Sequence, residues 1–138
     1  MEFRYLFDRN TDDALRQSIM GIEARYAAGG VERFSGMAPA TLDRLAEHGF
    51  IDMDASHNGR PTAREFRDFM ERWRGEGATT HGYIVSPERH DYDVVIEGLE
   101  ARSGNMDFRA DFISTFEGAD ELECEMAPDF DAQRCWYD

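Results

Sequence analysis

The residues with the clearest potential for chemistry lie in one short stretch, DASHNGRPTARE, at positions 54–65. Oxygen-bearing groups recur there at positions 1, 3, 5, 7, 9 and 12 of the stretch, with glycine at position 6, which is the spacing of a calcium-binding loop. The candidate metal ligands are the side chains of Asp54, Ser56, Asn58 and Glu65 and the main-chain carbonyl of Arg60. We predict no cofactor and keep calcium as the alternative.

This stretch resembles the loop of an EF-hand, and the resemblance covers twelve residues and the start of the following helix. Three features depart from that pattern. Pro61 at position 8 has no N–H for pairing with a partner loop, Gly49 ends the preceding helix too early, and the sequence contains no second loop of this kind. With only two carboxylates, Asp54 and Glu65, such a site would bind calcium weakly.

A second interpretation is that residues 54–65 form a turn and the start of a helix. In a capping box, the Thr62 hydroxyl accepts from the Glu65 N–H and the Glu65 carboxylate accepts from the Thr62 N–H. Asn58 and Gly59 are residues that favour a turn. We prefer this interpretation and keep calcium binding as the alternative.

The histidines suggest a further metal hypothesis. His81 and His90 flank a predicted hairpin, and with Asp91 or Asp93 they would form a metal site if the strands brought them together. The spacing matches none of the usual metal-binding motifs. The sequence also lacks the motifs of nucleophile elbows, phosphate loops and dinucleotide sites, so we predict a protein that is not an enzyme, with an enzyme lacking a recognisable motif as an alternative.

Charge is the most unusual global property. Twenty-nine acidic residues face fifteen basic ones, all arginine, for a net charge of −14. Residues 75–138 alone carry sixteen acids and four bases. Nucleic acid and anionic membranes attract basic surfaces, so neither is an expected direct partner. The sequence has no long apolar run and no apolar leader at its start, and we expect a cytoplasmic protein.

The pattern of apolar residues predicts an α+β fold. The length suits a single domain over 1–138, mainly helical in 1–74 and built as hairpin, helix and hairpin in 81–138. An N-terminal three-helix segment is predicted, followed by a β-hairpin, a helix and a second β-hairpin that form an antiparallel sheet. The predicted helices cover 11–30, 39–48, 62–73 and 105–118, and the predicted strands cover 82–86, 92–101, 121–126 and 133–138.

The second hairpin permits a prediction of its register. One pairing places Cys124 opposite Cys135 and Leu122 opposite Tyr137, and it places Glu125 opposite Arg134 on the other face. Apolar residues then face apolar ones and an acid faces a base, as in stable cross-strand pairs.

The leading functional hypothesis is a small acidic interaction protein that binds a basic protein surface. The expected partner-binding residues are the carboxylates of the second hairpin and its approach: Glu117, Asp120, Glu121, Glu123, Glu125, Asp129 and Asp131. Glutamates that alternate along a strand project from one face about 7 Å apart. By analogy of size and charge, such a surface could occupy the groove of a nucleic-acid-binding protein, as phage-encoded anti-CRISPR inhibitors of host nucleases do.

Overall fold

The chain contains helices and the strands of one antiparallel sheet. The computed structural model describes residues 9–55, 59–124 and 132–138. The helices are α1 (Asp13–Met20), the four-residue α2 (Ala27–Gly30), α3 (Pro39–Glu47), α4 (Ala63–Arg72) and α5 (Met106–Thr115). The strands are β1 (Val31–Met37), β2 (Thr79–Val85), β3 (Val94–Arg102), β4 (Glu121–Cys124) and β5 (Ala132–Trp136). In the described ranges no helix is long and apolar enough to cross a membrane.

The α+β class is confirmed, but the predicted N-terminal three-helix segment is wrong. Strand β1 lies between α2 and α3 and pairs with β2 in the sheet. Its two buried residues, Phe34 and Met37, are three positions apart, because the register shifts between them and Gly36 has a φ of +69°. This irregularity removes the two-residue alternation by which a half-buried strand is recognised.

Helix α1 is shorter than the sequence pattern predicts. Gly21 takes the left-handed conformation after Met20, and its N–H donates to carbonyls of the last turn, so the helix ends there. The N-cap is Asp12, whose carboxylate accepts from the Leu15 N–H. Predicted helix 11–30 is therefore two short helices joined by a loop.

An aromatic core lies between the sheet and helices α4 and α5. Five buried phenylalanines from the two helices form ring contacts with centroids 4.9–5.9 Å apart: Phe66, Phe69, Phe108, Phe112 and Phe116. Their three- and four-residue spacing places them on one face of each helix, as the sequence predicts. The helices therefore cover one face of the sheet and leave the other face with polar and aromatic side chains.

The strand order is β1-β2-β3-β5-β4, so β4 and β1 are the two edges. The predicted register of the β4–β5 pair is wrong by two residues, because Leu122 pairs with Cys135 and Glu123 with Arg134. A shift of two residues keeps every side chain on its own face. An apolar pair, Leu122 with Cys135, and an acid–base pair, Glu123 with Arg134, are therefore still formed, whereas Cys124 faces Gln133 instead of Cys135.

Candidate functional site

A cavity of about 450 Å³ opens on the sheet between β1 and β5. Its lining includes Arg33 of β1, His81 of β2, Glu100 of β3, and Arg134 and Trp136 of β5. Each strand of an antiparallel sheet projects alternate side chains to one face. The cavity is therefore built by four neighbouring strands, which hold its polar groups on a rigid frame.

His81 is the most buried polar group of the cavity, with 4% of its surface exposed. Its Nε2 lies 3.0 Å from the main-chain oxygen of Cys135. A carbonyl oxygen only accepts, so Nε2 carries the proton. Burial lowers the pKa of His81 below its usual 6.5, against the opposing effect of this hydrogen bond. The imidazole is therefore neutral at neutral pH, and its Nδ1 presents a lone pair with no partner among the described residues.

The indole of Trp136 contacts the three basic side chains of the cavity. The His81 ring packs against the indole with centroids 4.5 Å apart. The guanidinium carbons of Arg134 and Arg33 lie 4.6 and 5.4 Å from the indole centroid. Cations attract the negative face of an indole, so both contacts are favourable.

The two arginines differ in how their charge is balanced. Arg33 forms an ion pair of 2.7 Å with the buried carboxylate of Glu97. Arg134 pairs in register with Glu100 on one side and Glu123 on the other, yet it forms no ion pair within the described residues. Its Nε is buried without a hydrogen-bond partner there. Arg134 is thus the cation of this site that has no ion-pair partner among the described residues.

A second candidate site is the acidic edge, which we define as Glu117, Asp120, Glu121 and Glu123. These four residues follow α5 and continue into the edge strand β4, and all are exposed. The main-chain N–H of Asp138 donates to the Asp120 carboxylate over 2.7 Å. The other expected partner-binding residues, Glu125, Asp129 and Asp131, lie outside the described residues.

The carboxylates of the acidic edge form no ion pair within the described residues. Arginines pair with nine acidic residues in the described ranges, and each of these acids lies between Asp13 and Asp111 in the sequence. None of the four carboxylates of the acidic edge takes part. The four carboxylates therefore carry negative charge that no arginine of the described residues neutralises.

The capping box at the start of α4 is confirmed. Thr62 Oγ1 accepts from the Glu65 N–H over 3.1 Å, and the Glu65 carboxylate accepts from the Thr62 N–H over 3.1 Å. Asp54, the first candidate calcium ligand, forms a two-pronged ion pair with Arg64 at 2.7 and 3.1 Å. Arg60 is half-buried, and Ser56 and Asn58 lie outside the described residues. Both carboxylates of the proposed calcium loop thus have protein partners.

The structure does not assemble the predicted histidine metal site. His81 packs against Trp136, whereas His90 is exposed in the turn between β2 and β3. Within the described ranges, no group of three or more His, Cys, Asp or Glu could hold a metal ion. The thiols of Cys124 and Cys135 are both free, and burial raises the pKa of Cys135 to about 12, so that thiol is a poor nucleophile.

The cavity could not be predicted from the sequence, because its residues come together only through the order of the strands. Arg134 and Trp136 are two residues apart on β5, and the same two-residue period places His81 and Tyr83 together on β2. The alternation therefore predicts that each pair shares a face. The alternation does not indicate which strands are neighbours in the sheet. The contact between His81 and Trp136 depends on that strand order.

The comparisons with known proteins give no relative from which to transfer a role. No protein-family model matches this chain, and neither a curated protein nor a solved structure matches it significantly.

Proposed function

We propose that this protein is a non-enzymatic interaction protein whose acidic edge binds the basic surface of another protein, in particular the nucleic-acid groove of a nucleic-acid-binding protein. The observation that carries the proposal is the distribution of ion pairs. Arginines neutralise nine acids elsewhere in the described residues, while the four carboxylates of the acidic edge have no cationic partner there.

The position of the acidic edge supports recognition by charge. Glu121 and Glu123 lie on an edge strand of four residues and project to the same face, about 7 Å apart. Glu117 and Asp120 extend the negative surface toward the end of α5. Charged surfaces that complement each other speed association and set specificity, and salt screens the attraction between them.

The direct test measures binding of a fluorescent arginine-rich peptide by anisotropy at low and at high salt. The test variant combines Glu117→Gln, Glu121→Gln and Glu123→Gln. A matched control combines Glu23→Gln, Glu47→Gln and Glu88→Gln, which are exposed acids without ion pairs in the described residues. The two variants have the same net charge, so a difference between them reports the location of the charge.

We expect the acidic-edge variant to bind at least about tenfold more weakly than the control, and we expect binding by the natural chain to weaken steeply with salt. Proteins captured from a lysate at low salt should be released by duplex DNA, because the partner's groove would hold either ligand. Equal loss in the two variants, or binding that does not depend on salt, would overturn the proposal.

A further inference from the structure

Two charged side chains that line the cavity, Arg134 and Glu100, have no ion-pair partner within the described residues. Arg134 has no ion pair in the described residues and its Nε is buried without an acceptor. The Glu100 carboxylate also lacks a side-chain partner within those residues, although it lines the same cavity. A charged group without a partner is costly where it is partly buried, so a ligand that pairs with both Arg134 and Glu100 would gain binding energy.

Arg134 and Glu100 bind groups of opposite charge. A guanidinium binds a carboxylate through parallel N–H donors. A carboxylate accepts hydrogen bonds and carries negative charge, so it binds an N–H donor that carries positive charge. Glu100 pairs in register with Arg134, and His81 pairs with Gly98, two residues before Glu100 on the same strand. Anion-binding and cation-binding groups thus lie on neighbouring strand positions.

We propose that the cavity binds a free α-amino acid with an apolar side chain, whose carboxylate pairs with the Arg134 guanidinium and whose ammonium group donates to the Glu100 carboxylate. An α-amino acid carries both charges on adjacent carbons, which matches the proximity of the two kinds of group. This inference does not require a partner protein.

The rest of the cavity suits a small apolar group. Ile22 and Phe34 contribute to the lining, and the indole of Trp136 adds an aromatic surface. A volume of about 450 Å³ is in the lower part of the range for small-molecule sites. It accommodates a metabolite such as leucine, whose side chain would contact the apolar wall.

The experiment titrates L-leucine into the protein by calorimetry and follows the melting temperature in parallel. Leucinamide, which lacks the carboxylate, and 2-hydroxy-4-methylpentanoate, which lacks the ammonium group, are the matched compounds. We expect L-leucine to bind at millimolar concentration or below and to raise the melting temperature. Each matched compound should bind at least about tenfold more weakly, because each loses one charged contact.

Variants locate the site. Arg134→Gln and Glu100→Gln should each weaken L-leucine binding by at least about tenfold. Arg44→Gln removes an exposed arginine of α3 and should bind as the natural chain does. Circular dichroism confirms that each variant is folded. The proposal is overturned if L-leucine gives neither heat nor a change in melting temperature, if leucinamide binds equally well, or if Arg134→Gln retains full binding.

Discussion

The rings of His81 and Trp136 are in contact, with centroids 4.5 Å apart and planes tilted by 32°, although their strands, β2 and β5, are not neighbours in the sheet. Strand β3 lies between them, and the residue of β3 that pairs with His81 is Gly98. A Cβ at position 98 would lie 1.9 Å from the Cys135 oxygen and 2.9 Å from His81 Nε2. The absence of a side chain at Gly98 is thus what lets the imidazole reach across β3.

Replacement of Gly98 by alanine should destabilise the protein strongly. The added methyl group meets main-chain atoms that cannot move without disturbing the β3–β5 pairing. Overpacking of this kind costs about 3 kcal/mol in free energy of unfolding. Urea denaturation measures the loss.

The control is Gly104→Ala, where no atom lies within 4 Å of the new methyl group. We expect this variant to change the free energy of unfolding by about 0.5 kcal/mol or less. Equal midpoints for the two variants would contradict the close approach at Gly98.

The stability of the protein should fall as the pH drops below neutrality because of His81. Its pKa in the folded state is held below the usual 6.5 by burial, while the unfolded chain has an ordinary histidine. As the pH falls through 6.5, His81 takes up a proton in the unfolded state but not yet in the folded state. The free energy of unfolding therefore decreases. The charges that face His81 act in both directions: Glu97 and Glu100 raise its pKa, and Arg134 lowers it.

The measurement compares melting temperatures from about pH 7.5 to about pH 5.5, which spans the ordinary histidine range. The natural chain should lose stability over this interval. His81→Gln keeps an N–H donor for the Cys135 oxygen but removes the titration, so its curve should be flatter. His90→Gln changes an exposed histidine and should retain the natural slope. If the melting temperature of His81→Gln falls with pH as steeply as that of the natural chain, another group causes the loss of stability.

Arg16 should be among the most sensitive positions in the chain. Its side chain is fully buried and joins α1 to the β2–β3 hairpin. The guanidinium donates to the carbonyls of Val85 and Asp93 and to the Asp13 carboxylate, at 2.8–3.1 Å. Arg16→Ala would leave these acceptors without their donor and should cost about 3–5 kcal/mol in free energy of unfolding.

Chemical denaturation again gives the value for Arg16. Arg44→Ala, an exposed arginine in the last turn of α3, is the control and should cost about 0.5 kcal/mol or less. Arg16→Lys should remain destabilised, because a single ammonium does not reproduce the fork of a guanidinium. A small effect of Arg16→Ala would mean that the buried charge contributes nothing beyond its desolvation.

Elements with regular periodicity could be predicted from the sequence. Phe108, Phe112 and Phe116 recur at four-residue intervals and do form the inner face of α5. Thr62 was identified as the N-cap of α4 because capping depends only on residues a few positions apart. Strand β1 was missed because its bulge hides the alternation between Phe34 and Met37.

The cavity could not be predicted, because it arises from contacts between residues far apart in the sequence. His81 and Cys135 are separated by 54 positions and meet only because β5 pairs with β3. The register error at Leu122 has a related cause, since a two-residue shift leaves the inward and outward sets unchanged. Local patterns specify elements and faces, whereas strand order and register depend on the whole fold.

The stretch at 54–65 yields a final prediction that separates helix capping from calcium binding. Thr62→Ala removes the hydroxyl that accepts from the Glu65 N–H and should cost about 1 kcal/mol, while Thr62→Ser should keep most of the stability. Calcium at millimolar concentration should leave the melting temperature unchanged, because Asp54 is paired with Arg64 and Glu65 with Thr62. Glu65→Gln is the informative variant, since glutamine still serves in a capping box but is a much weaker calcium ligand. A rise in melting temperature with calcium that Glu65→Gln abolishes would contradict this prediction and support the calcium loop.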